Sequence, residues 1–407
     1  MLVGGLAYSI FGLAAVHGGR LKLSAPSDLW DLAGSSSALV HGHFSYIYVH
    51  NGALTSPPAF EFALAPVILL GQLLGLSRPV HQTGEPIGLW FLLGPAAILI
   101  GSSALFAIDA VARHWHFSER DRLLLALCGG LAVANVVVGW GHPEDCVALS
   151  LLLWAALALE REGTSAAPKA AWILGAAIAF QPLAVLGVAP ILARLSWRAA
   201  AKLSWRLAIP SLLVLVPPLI GETHLTLEVL VRQPFQLKYI SFTPLTHWAP
   251  SLGPGVVGGG PTRLVATVVG AAICVVVCRR RHDLATVLAM TAVAIFLRLL
   301  LETELNWYYF WPVAALCLLL ARRGSWTRFG ICAASSVFSM VLGNHRVHDI
   351  DLWWPALMAT TVVMLLTVFL PSQRWHLMRR PSPWAAPGPA IECGGMKLPM
   401  GSGSPGE

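Results

Sequence analysis

Three ionisable residues, His142, Glu144 and Asp145, crowd into the stretch GWGHPEDCVAL at 139–149, between the apolar runs LLLALCGGLAVANVVV and LSLLLWAALALE. An ionised side chain near the centre of a bilayer costs roughly 2.5–3.5 kcal/mol on insertion scales. The trio therefore either lies at a membrane edge or belongs to a buried site that needs it. Glu144 and Asp145 have two readings: they cap the helix that follows Pro143, or they bind hydroxyl groups and position His142. A second acidic pair stands in SDLWDLAGSSSALVHGHFSYIY. If a helix begins at Ser27, Asp28 and Asp31 share one face of it. They then either favour the helix start electrostatically or supply a general base able to take a proton from a substrate hydroxyl. Cations complete the inventory. Arg298 precedes Glu302 by one helical turn, as a helix-end ion pair or as a guanidinium matched to phosphate. His345, Arg346 and His348, in a turn with Asp349 and Asp351, offer an alternative anion site. Carboxylate–imidazole sets suit several divalent ions, but no tight ligand motif such as His-Glu-x-x-His occurs, and no metal is expected. The seven cysteines fall mostly inside apolar runs, as small hydrophobes do, and form no disulfide framework.

The elements that must position these residues follow from composition. The chain has 407 residues, 56% hydrophobic and 12% charged, against about 25% charged in soluble domains. That predicts an all-α, polytopic integral membrane protein. The net charge of +7 comes in short clusters between apolar runs. Such clusters are the orientation signal of cytoplasmic loops, so nucleic acid is not an expected partner.

Apolar runs long enough, or nearly so, to cross about 30 Å fall near 88–112, 123–139, 146–160, 207–221, 262–279, 284–301, 307–321, 327–342 and 352–371, and residues 2–16 add a first helix. Basic clusters at Arg113/Arg120/Arg122, Arg194/Arg198/Lys202/Arg206, Arg279/Arg280/Arg281, Arg322/Arg323/Arg328 and Arg374/Arg379/Arg380 are all placed inside. Segment 170–193 then starts and ends inside, with Gln181-Pro182 at its midpoint, and reads as a re-entrant hairpin. Segment 58–77 must stay on the outer side and reads as an interfacial helix. The expected architecture is about ten full spans, one re-entrant hairpin and one interfacial helix, with both termini inside. Residues 1–371 form the transmembrane domain and 372–407, rich in Pro, Gly and Ser, a disordered cytoplasmic tail. This topology gathers Asp28, Asp31, His142, Glu144, Asp145, Glu302 and the 345–351 turn on the outer side. Trp307, Tyr308 and Tyr309 read there as an aromatic belt.

The first outer loop resembles that of the GT-C superfamily of membrane glycosyltransferases, and is most similar to glycosyltransferase family 87. The likeness rests on Asp28, the small-residue helix after it, SALVHG, the Tyr-containing stretch and SPPAFEFALAPVILL. The segment LSLLLWAALALEREG followed by AAWILGAAIAFQPLAVLGVAPILARLSWR looks like the family's helix, basic turn and hairpin; the likeness spans about residues 20 to 206. It implies a GT-C-type helical bundle at the plasma membrane with its active side facing outward. It also implies inverting transfer of a mannose-like sugar from a polyprenyl-phosphate carrier to a lipid or glycan acceptor of the cell envelope, with no cofactor. Asp28 matches the catalytic acidic position. Arg298, or His345, Arg346 and His348, would meet the carrier phosphate, while His142 would donate to phosphate or sugar. Two departures stand out: GHPED where the family often has Gly-Gln, and Gln181 where it often has Lys. The alternative is a multi-span transporter or lipid flippase, because broken helices such as 170–193 also occur at transport sites. A transporter, however, places charges near the midplane and shows internal repeats, whereas these charges cluster on one face.

Overall fold

The computed structural model describes residues 14–17, 20–23, 27–49, 57–76, 87–232, 236–238, 243–245, 251–253, 256–258, 262–302, 305–344 and 350–370. His345, Arg346, His348, the first part of the expected 2–16 helix and the 372–407 tail lie outside them.

The described chain is helical apart from two small antiparallel ribbons. One pairs β1 (Ala14–His17) with β2 (Arg20–Leu23); the other has β3 (Gln236–Lys238), β4 (Ser251–Gly253) and β5 (Val256–Gly258) in the order β3-β5-β4. The first corrects the expectation of a helix over 2–16. Residues 14–16 lie in a strand, whose register pairs His17 with Arg20. Gly18-Gly19 is the sequence that a two-residue hairpin turn favours over helix continuation.

Helix α1 (Ser27–Val40) packs on α2 (Ala59–Leu73). Helices α3 (Ile87–Gly101) and α4 (Ser103–His114) follow end to end, and α5 (Glu119–Ala134) closes with a π-helical turn, Asn135–Trp140. Next come α6 (Pro143–Glu162), α7 (Ala167–Phe180), α8 (Val185–Leu192), α9 (Ser204–Gly221) and α10 (Thr223–Arg232). The C-terminal half holds α11 (Thr262–Arg280), α12 (Leu284–Leu300), α13 (Trp311–Gly324), α14 (Trp326–Asn344) and α15 (Ile350–Phe369). Helix α6 is the centre. It packs on α4 and α7 and is buried along nearly its whole length, from Pro143 to Leu159. A helix apolar all round is stable only in such a place.

Among the described residues, four helical stretches are long and apolar enough to cross a membrane: Gly88–His114, Glu119–Trp140, Trp197–Gly221 and Leu352–Phe369. Side chains such as Phe106, Leu131, Ile220, Val268 and Leu366 stand exposed on the outside of the bundle. An apolar exterior of that extent marks a membrane protein. Other apolar stretches are shorter, as with the 17 residues of α12, or carry acids in their first turn, as α6 does.

The bundle has two chemically different ends. At one, Arg122 and Arg113 hold Asp109, Arg322 holds Asp121, and Arg194 holds Glu160. Arg322 also lies over Trp326 at 4.1 Å and Arg323 over Trp115 at 4.8 Å. At the other end, about 24 Å along α6 by the rise of an α-helix, sit Glu144 and Asp145. Helices α7 and α8 connect the two. Lys169 near the start of α7 and Arg194 just beyond α8 both bond acids at the C-terminal end of α6. Gln181, between the two helices, reaches Asp145 at its N-terminal end. The chain thus runs up from one end to the site and back, breaking at Gln181 (φ −149°, ψ 113°) where Pro182 cannot continue the ladder.

Close approach of α7 to α9 depends on Gly175. A Cβ there would stand 2.6 Å from the Leu207 carbonyl oxygen and 2.8 Å from that of Arg206. Gly330, on α14, has open space around it. Gly175→Ala is expected to destabilise the protein by about 1–3 kcal/mol, the usual cost of overpacking. Gly330→Ala should be neutral to stabilising, because it removes only glycine's entropic penalty. Thermal unfolding of both variants in detergent checks the contrast.

Candidate functional site

The site begins with a turn that only glycine makes easily. After the π-helical turn, Gly141 adopts φ +82° and ψ 26°, and the His142 backbone N–H returns to the Val136 carbonyl. This left-handed step reverses the chain and leaves His142 as the residue before α6. Pro143 suits the first helical position because its missing N–H would be unpaired there anyway. Glu144 and Asp145 fill the first turn, where the helix dipole favours anions.

The imidazole of His142 lies between two carboxylates. Its Nδ1 is 2.6 Å from Glu144 Oε1 and its Nε2 is 2.9 Å from Asp28 Oδ2. Ionised carboxylates accept but do not donate, so both contacts are hydrogen bonds only when the ring carries both protons. The electrostatics agree. Burial opposes the charged ring, but the Glu144 charge, the hydrogen bonds to Asp28 and Glu144 and the Asp145 charge outweigh it, and the His142 pKa is pushed up to about 10. Tyr308 completes the enclosure. Its ring stacks on the imidazole, centroids 3.7 Å apart and planes 23° apart, a geometry that favours a cation. Trp140 and Tyr309 flank Tyr308 in turn.

Asp145 points elsewhere. Gln181 Nε2 donates to its Oδ1 at 2.6 Å. Burial, and then the charge of Glu144, raise its carboxyl above the usual range. Exposure is graded along the chain of three: the side chain is 9% exposed at Glu144, 15% at His142 and 31% at Asp28. Asp28 is the open end.

Of the expected site residues, the structure therefore brings together Asp28, His142 and Glu144 directly, with Asp145 adjacent through the α6 first turn. Asp31 lies one turn farther along α1; the two ring nitrogens of His142 are already taken by Asp28 and Glu144. Arg298 and Glu302 form a buried ion pair at the end of α12, and the Glu302 carbonyl accepts from Thr243 Oγ1 at 2.6 Å. The cluster His345, Arg346 and His348 falls outside the described residues. Among the described residues no group of three His, Cys, Asp or Glu side chains is arranged to hold a metal ion.

Three participants escaped the reading of the sequence. Tyr308 was expected in an aromatic belt, yet it is 5% exposed and faces His142. Gln181 counted as part of the hairpin break and as a substitution for a cation, yet it is also the partner of Asp145. Glu61 belonged to an interfacial helix, yet it is 1% exposed. Glu61 and Gln181 had one visible signal, a polar residue isolated in an apolar run. No protein-family profile matches this chain, and no curated protein is significantly similar to it.

A raised imidazole pKa contributes stability that is complete below its ordinary value of about 6.5 and lost as pH rises through about 10. His142→Asn removes the cation between two acids and should cost about 3–5 kcal/mol at pH 6, the range for breaking a buried ion pair. The difference from wild type should narrow toward pH 10. Thermal midpoints at the two pH values decide; a variant as stable as wild type at pH 6 would remove the imidazolium assignment.

Proposed function

We propose that this protein is a multi-span glycosyltransferase of the GT-C type, with Asp28 as the general base. The observation that carries the reading is the Glu144–His142–Asp28 chain, which ends at the more open of its two carboxylates. In this reading Asp28 takes the proton of the acceptor hydroxyl as the acceptor oxygen bonds to the sugar anomeric carbon. The bond from that carbon to the carrier phosphate breaks, and its electron pair leaves with the phosphate. His142 keeps Asp28 ionised and aimed, and Glu144 fixes the ring from the other side. Because both ring nitrogens are engaged, His142 positions Asp28 and does not bind phosphate. The cation assigned to the phosphate is Arg298 or, alternatively, the set His345, Arg346 and His348.

The donor is a polyprenyl-phosphate sugar, mannose-like by resemblance, and the acceptor a lipid or glycan of the cell envelope. The bundle's basic end faces the cytoplasm by the positive-inside rule, which puts the acidic end and the site on the outer face of the plasma membrane. The expected spans other than 2–16, a hairpin of α7 and α8 with its tip at the site, and α2 lying along the outer surface complete the proposed topology. The separation of charge to the two ends of α6 favours this reading over a transporter, whose charges would line a midplane path.

The test is transfer from a labelled polyprenyl-phosphate sugar by purified protein. Asp28→Asn should lower kcat by about 10²–10⁴, the usual worth of a general base, with binding of the donor retained. A fully active Asn variant would dismiss Asp28 as the base. Wild-type protein that moves lipid or solute across vesicles while transferring no sugar would point to a transporter instead.

A further inference from the structure

The spans Gly88–His114 and Glu119–Trp140 are joined by residues 115–118, so this turn lies where the chain leaves the membrane and re-enters it. The turn between α13 and α14 meets it there, because Arg322 at the end of α13 bonds Asp121 at 2.7 Å. Two acids of this region are taken: Asp121 by Arg322, and Asp109 by Arg113 and Arg122. A surplus of cations remains at the surface. Arg120 and Arg323 are exposed and Arg328 is half-buried. Among the described residues no carboxylate forms an ion pair with any of the three, and Glu119, exposed beside Arg120, forms none with any arginine.

Aromatic rings hold these surplus guanidiniums in place. Trp326 carries two, Arg322 at 4.1 Å and Arg120 at 5.3 Å from its ring centroid. Arg323 lies over Trp115 at 4.8 Å. Arg328 folds back on the end of α13, where a Cβ at Gly324 would stand 3.1 Å from its Nη1. Stacking occupies the flat face of a guanidinium. Its N–H donors lie in the plane and remain available to the oxygens of an anion. Apolar surface leads up to the same place. On α5 the exposed Leu123, Leu127 and Leu131 continue one helical face from Arg120. On α14 the exposed Gly330, Val337 and Val341 continue another from Trp326. Anchored cations at the membrane boundary, with bare apolar helix faces running from them, match the two halves of a phospholipid.

We propose that the Trp326 stack is a binding site for an anionic phospholipid, with Arg120 bonding the phosphate and the acyl chains lying on the exposed faces of α5 and α14. Arg323 and Arg328 supply the surrounding positive field, which acts within about a Debye length. The lipid is anionic because a choline headgroup would bring its own cation to a surface already in positive excess.

The experiment uses the full chain in detergent, titrated with dimyristoyl phosphatidylglycerol or with phosphatidylcholine of the same chains, and reads bound lipid by native mass spectrometry. It does not depend on the glycosyltransferase reading. Wild type should bind the glycerol lipid at least about tenfold more tightly. Arg120→Gln should weaken that binding about fivefold, the usual worth of one basic residue at an anionic surface, and Arg120→Gln with Arg323→Gln about 25-fold. Trp326→Leu keeps every charge and should still weaken it several-fold, because Arg120 loses its support. Arg279→Gln with Arg280→Gln removes the same charge from the exposed end of α11 and should change little. Thermal midpoints of the lipid-free variants near wild type establish that each folds. Equal affinity for the two lipids, an equal loss in the α11 variant, an unaffected Trp326→Leu variant, or displacement of the lipid by millimolar inorganic phosphate would each overturn the proposal.

Discussion

An imidazolium held between two carboxylates organises this end of the molecule. One carboxylate, Glu144, is its neighbour in sequence; the other, Asp28, comes from 114 residues away. The pairing explains why α1 cannot drift from the first turn of α6. Separating them would strand a cation and two anions in a region largely closed to water, at a cost of several kcal/mol per ion. The Tyr308 ring, from the turn before α13, covers the remaining face of the imidazole. Three separate parts of the chain thus converge on one charged ring.

The opposite end solves a similar problem differently. There three acids each have an arginine: Asp121 with Arg322, Glu160 with Arg194, Asp109 with Arg122. Aromatic rings cover several of the guanidinium groups. Those pairs neutralise charge one for one and lock helix ends together. Around His142 two carboxylates share one described imidazolium, and Asp145 leans on a neutral amide, its carboxyl raised by burial and by Glu144. A balanced end and an unbalanced end are different in kind, and unbalanced buried charge is characteristic of sites that do chemistry.

Helix α6 links the two. Its apolar length is buried, its first turn carries the acids of the site, and its last carries Glu160. The α7–α8 fold-back repeats this polarity, bonded to Glu162 and Glu160 at one end and to Asp145 at the other. Packing of small residues makes it possible: Ala170, Ala171, Leu174 and Ala177 are fully buried on α7, and Gly175 meets the α9 backbone.

Hydropathy and the placement of basic clusters in the sequence were enough to fix most helices, the break at Gln181-Pro182 and the gathering of acids with His142, because each depends on residues adjacent in the chain. The pairing of β1 with β2 was missed, since a short apolar run reads as helix or strand alike. Asp28 and His142 were both picked out from the sequence, but that they touch is decided by packing. So too is the fate of Glu61, Gln181 and Tyr308, whose burial and main contacts are not set by their neighbours in the chain. A buried polar group is defined by its partners, and partners 36 or 114 positions away are set only when the helices pack.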